Sequence, residues 1–90
     1  MTTNITTLAI NLLISERESH RSFFADRITE LVQESNDVSD IEKELKNKFF
    51  SVISKCVENP NRESADVFYQ LAQFYNQKIH GNQSALSAAA

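Results

Sequence analysis

The chain has one glycine, one proline, one cysteine and no tryptophan in its 90 residues. A single glycine cannot build a Walker loop or a dinucleotide fingerprint, both of which need several. So little glycine and proline also leaves almost nothing for tight hairpins, which favours helices joined by polar turns. One cysteine excludes an internal disulfide framework and fits a reducing, cytoplasmic setting. No sign of charge dominates: a formal net charge of −3 gives no electrostatic footprint for nucleic acid. No apolar run approaches the ~20 residues that span a bilayer. The apolar half of residues 1–14 also lacks the basic flank of a secretion signal. The expectation is a cytoplasmic protein without a membrane span.

The inventory for chemistry is equally thin. His20 and His80 have no cysteine or histidine at metal-ligand spacing. Cys56 falls on an apolar helical stripe and reads as a small hydrophobe, with no histidine within a turn to activate it. No serine sits in a nucleophile-elbow pattern. We therefore expect no enzyme, no metal and no cofactor.

What is present is helical period. With 41% hydrophobic and 23% charged residues the composition is that of one small globular domain. Ile5, Leu8 and Leu12 form one stripe, with Ala9 and Leu13 beside it. Ser15 and Glu18 have capping-box spacing, so a second helix starts at Glu16; the alternative is one long helix with a stripe broken at Arg17 and His20. In the second segment Phe24, Ile28, Leu31 and Ser35 share a stripe, with Phe23 and Val32 alongside. Ser39-Asp-Ile-Glu42 is a second capping box, and Ile41, Leu45, Phe49, Val52 and Cys56 follow it. Asn59-Pro60-Asn61 ends that helix and caps the next, from Asn59 with Pro60 in the first turn or from Asn61. Ala65, Phe68, Ala72, Tyr75 and Ile79 make a seam in the fourth segment, and Gly81 supplies a left-handed stop.

The fold expected is all-α: a small antiparallel up-down bundle of three main helices plus a short N-terminal one. The helices fall near residues 4–14, 16–35, 40–58 and 61–80. Residues 1–81 form the single domain and residues 82–90 a flexible tail. The core residues expected are Leu8, Leu12, Phe24, Ile28, Leu31, Leu45, Phe49, Val52, Cys56, Phe68, Leu71, Ala72, Tyr75 and Ile79.

Every aromatic residue is half of an adjacent pair: Phe23-Phe24, Phe49-Phe50, Phe68-Tyr69 and Phe74-Tyr75. Neighbouring side chains on a helix point about 100° apart, so a pair cannot sit inside one narrow seam. Phe24, Phe49, Phe68 and Tyr75 are the inner members by periodicity; Phe23, Phe50, Tyr69 and Phe74 are the outer ones. The tyrosines suit a boundary, with the ring buried and the hydroxyl wet. The outer rings predict a surface for another protein, most simply a second copy in a homodimer. Arg17 and Arg21 would reach acidic residues opposite, and Asp26, Glu30 and Glu34 step by four along an acidic ridge. The functional expectation is a non-enzymatic interaction module: an adaptor, an inhibitor or a small chaperone.

Asn59-Pro60, Tyr69-Gln70 and Asn82-Gln-Ser-Ala85 together resemble needle and inner-rod subunits of type III secretion systems, over less than a third of the chain. That family consists of small helical hairpins with an Asn-Pro turn and a downstream Tyr-Gln helix. The N-terminal half departs from the pattern, and nothing after Ser84 matches the family's polymerising helix. The resemblance implies a second reading, a structural or accessory helical subunit of a secretion apparatus.

Overall fold

The described residues form four helices: α1 (Ile5–Ile14), α2 (Glu18–Gln33), α3 (Asp40–Glu58) and α4 (Arg62–Ala89). The computed structural model describes residues 4–37 and 39–89, with side chains as far as Ile79. Among the described residues there is no strand.

Each boundary has a local cause. The Asn4 carboxamide accepts the Thr7 amide at 3.1 Å and opens α1. Ser15 does not cap the next helix. Its hydroxyl instead donates back to the Asn11 carbonyl at 2.6 Å and closes α1. The expected start at Glu16 therefore moves to Glu18, and Arg17 stands at the cap without a side-chain bond. The second capping signal forms as the spacing predicts, with the Ser39 hydroxyl accepting the Glu42 amide at 3.2 Å. Of the two starts open to α4, the one at Asn61 is used. Asn61 Oδ1 accepts the Ser64 amide at 2.9 Å, and Ser64 Oγ accepts the Asn61 amide at 3.2 Å.

The largest departure is at Gly81. The predicted stop is not formed, and α4 runs through it as far as Ala89. Glycine inside a helix costs roughly 1 kcal/mol relative to alanine, a penalty that good helix formers beyond it can offset. The Ala-rich stretch from 85 to 89 supplies them. His80, expected in a last turn, consequently lies in the body of α4.

α1 packs on α2 and α4, and α3 packs on the same two helices, while α1 and α3 meet over a smaller contact. Short as it is, α1 is a full member of this ring rather than an appendage. Ile5, Ala9 and Leu12 are fully buried, and the Ile5 amide donates to Asn76 Oδ1 on α4 at 2.9 Å.

Aromatic rings fill the centre. Phe49 stacks on Tyr75 with centroids 5.4 Å apart, and Phe68 lies tilted 5.8 Å from Phe49. Such pairs contribute about 0.5–1.5 kcal/mol beyond the area they bury. Nine of the core residues named from the sequence are buried, and Leu8, Phe24, Leu31, Leu45 and Ile79 are partly buried against them. Ile5, Ala9, Ala25, Val32 and Ile53 are core members not on that roster. On α2 the buried stripe is Arg21, Ala25, Ile28 and Val32, turned slightly from the one read through Phe24 and Leu31.

Candidate functional site

The aromatic pairs divide as helical phase predicts. Phe49, Phe68 and Tyr75 are fully buried, and Phe24 is half-buried. Among the outer members, Phe23 is 68% exposed and Phe74 39% exposed, while Phe50 and Tyr69 are half-buried. Tyr75 departs from expectation at its tip, because its hydroxyl is not at a wet boundary. It donates to the Glu42 carbonyl at 3.4 Å. Burial first, and then the Asp37 and Glu42 carboxylates, raise its pKa.

The outer rings do not share one surface. Phe50 lies in the groove between α2 and α3, beside Ala25, Ile53 and Val57. Phe74 stands one turn before Lys78, whose ammonium reaches Glu42 of α3 at 2.9 Å, so it flanks the seam between α3 and α4. Tyr69 is two turns before Asn76, the partner of the Ile5 amide, and so faces the α1 side of α4. Phe23 meets Phe24 edge-on at 5.4 Å and points away from the core. Arg17 is exposed at the start of α2.

Arg21 is the clearest reassignment. It is 9% exposed, not a surface cation, and its guanidinium is spent on backbone carbonyls. Nε donates to Val57 at 2.8 Å, and Nη1 to Ser15 at 3.1 Å and Glu16 at 3.0 Å. Val57 lies in the last turn of α3, where carbonyls lack intrahelical partners and carry partial negative charge. The buried cation is thereby satisfied, although among the described residues no carboxylate pairs with it. The signal was in the sequence: Arg21, Ala25, Ile28 and Val32 share one stripe.

Other charges are also used internally. Lys46 bridges to Asp37 at 3.1 Å and donates to the Ser35 carbonyl at 2.9 Å. Lys78 joins Glu42 and sits 5.7 Å from the centre of the Tyr75 ring. These contacts fasten the α2–α3 connection and α4 to the start of α3. Of the acidic ridge, Glu30 pairs with Arg27 at 3.1 Å.

Cys56 is fully buried, and its thiol donates to the Ser64 carbonyl at 3.6 Å. Burial raises its pKa, and the contact with Ser64 opposes that in part. Among the described residues, no group of three or more His, Cys, Asp or Glu side chains is placed to hold a metal ion. Likewise, no helix is long and apolar enough to cross a membrane.

One surface was not anticipated. α1 carries no charged residue in its ten positions, ITTLAINLLI, yet Ile10 is 44% and Ile14 70% exposed. The two lie one turn apart and so share a face of α1. Thr6, Thr7 and Asn11 flank them, so this face is uncharged rather than wholly apolar. Comparison with known proteins adds no assignment: no family model, curated protein or solved structure matches the chain.

Proposed function

We propose that the chain is a non-enzymatic, cytoplasmic interaction module that self-associates, with α1 as the contact helix. The observation that carries this reading is an uncharged helix, buried along one stripe, whose opposite face leaves Ile10 and Ile14 exposed. Covering an isoleucine is worth up to about 2 kcal/mol, and a twofold axis covers each of these positions twice. A second copy fits because α1 brings no charge of its own into like-sign opposition across that axis. Tyr69, on the α1 side of α4, extends the surface with a ring suited to a half-wet margin. Arg17, just beyond the end of α1, would reach a carboxylate of the second copy.

The reading treats the helices as an antiparallel up-down bundle. Three contacts support that order. Arg21 near the start of α2 bonds to the end of α3, Lys78 just past the middle of α4 bonds to the start of α3, and the start of α1 bonds to Asn76 of α4.

Sedimentation velocity across the micromolar range tests the proposal. The expected result is a closed dimer, converted to monomer by Ile10→Ser with Ile14→Ser at unchanged helicity. A wild-type chain that stays monomeric, or a double variant that stays dimeric, overturns it. Mass that keeps growing with concentration points to the structural-subunit alternative.

A further inference from the structure

The groove between α2 and α3 sets the half-buried Phe50 and Val57 beside carboxylates that, among the described residues, form no ion pair. Phe50 and Val57 carry its accessible apolar surface above the buried Ala25 and Ile53, and Glu18, Asp26 and Glu58 line the same groove. Lysine, arginine and histidine are absent from its lining. The contrast with the remaining acids matters here. Glu30, Asp37 and Glu42 are each held in an ion pair, whereas among the described residues none of the three groove carboxylates is. An exposed acid needs no partner, but these three flank the half-buried Phe50 and Val57 and give the charged lining of the groove a single sign.

We propose that this groove takes a basic amphipathic helix from another protein. Its lining on α2 runs from Glu18 to Gln33, about 22 Å at 1.5 Å per residue, the length of a helix of some fifteen residues. Ser22, Thr29 and Ser54 are small, so the walls are low enough for a third helix axis to approach to packing distance. The volume is about 480 Å³, room for a row of side chains but not for a folded domain. An apolar stripe at positions i, i+3 or i+4, and i+7 would lie on the floor, with lysines or arginines flanking it toward the carboxylates. Charge complementarity selects this occupant. Nucleic acid and anionic lipid are repelled by the same three acids, and the uncharged α1 of a second copy has no cation to offer them.

The proposal stands apart from self-association through α1, and the test keeps the two separate. The probe is a synthetic sixteen-residue helix with leucine on one stripe and lysine elsewhere, titrated calorimetrically at low and high salt. One-to-one binding is expected, weakening with salt and unchanged in the Ile10→Ser, Ile14→Ser variant. Asp26→Lys with Glu58→Lys should weaken it by roughly tenfold or more, the scale of losing two close charge pairs. Glu63→Lys with Asp66→Lys on α4 changes net charge equally and should leave it within about twofold. Thr29→Trp, which obstructs the channel without altering charge, should also abolish binding, and it decides the matter if the charge-reversed groove variant loses helicity. Equal losses in the two charge-reversed pairs, indifference to Thr29→Trp, or equal binding of a peptide with glutamate replacing lysine would overturn the proposal.

Discussion

The Nε of Arg21 donates to the carbonyl of Val57 at 2.8 Å, fastening the start of α2 to the last turn of α3. The same guanidinium holds the Ser15 and Glu16 carbonyls, so one side chain joins the end of α1, the turn after it and the end of α3. Removing it leaves three carbonyls to find water at a largely covered site. Arg21→Ala should lower stability by about 2–4 kcal/mol, and Arg21→Lys by somewhat less, because an ammonium cannot reproduce the planar fork. Urea denaturation of the two variants checks this. An effect within about 0.5 kcal/mol of wild type, the range of an ordinary surface substitution, would mean that the carbonyls do not depend on Arg21.

Tyr75 and Cys56 should make the fold sensitive to alkali. Both have pKa values raised in the folded state, Tyr75 from 10.0 and Cys56 from 9.0, chiefly by burial. A raised acid keeps its proton in the native state after the unfolded chain has released it. The unfolded state then binds fewer protons, so stability falls as pH rises. The fall begins near the ordinary value of each group and levels off above its folded one. Melting temperature should be flat below about pH 8 and decline beyond it. In Tyr75→Phe the later part of that decline, around pH 10 and above, should be reduced at little cost near neutrality, since the bond lost is a long one at 3.4 Å. An unaltered alkaline limb in that variant would assign the loss to other groups.

Gly81→Ala discriminates between a continuous α4 and a helix that stops. Within a helix the substitution should raise stability by up to about 1 kcal/mol and increase the helical circular dichroism signal. At a left-handed stop, alanine would instead be destabilising.

How much of this was legible depends on whether the deciding signal was local. The breaks at Ser39 and at Asn59-Pro60-Asn61 are set within three or four residues, and the start of α3 and the Asn61 start of α4 follow from them. Ser15 carried the same local pattern as Ser39. It turned backward because a hydroxyl after a helix can serve the preceding carbonyl as readily as the following amide. The aromatic pairs were read correctly along each helix, since phase alone separates Phe49 from Phe50. What phase along one helix cannot say is which groove an outer ring enters, and so Phe50, Phe74, Tyr69 and Phe23 came to different places. Arg21 was hidden by its neighbours, being the one buried member of a polar run. On α1 the stripe through Ile5, Leu8 and Leu12 was apparent, whereas the meaning of Ile10 and Ile14 required knowing that they stay exposed among the described residues.

The bond between the Ile5 amide and Asn76 spans 71 positions of sequence. On the ribosome α1 is therefore synthesised well before the helix that receives it. Ten residues are too few to hold a helix in water unaided, so until α4 arrives this segment is a loose strip with six large aliphatic side chains. Its closure onto α4 is among the most non-local contacts in the chain and carries a correspondingly large loop-closure cost. A polypeptide halted after α3 would lack both the Asn76 acceptor and one wall of the docking site for α1. It would carry that apolar strip with α2 as its main support and the α4 side uncovered.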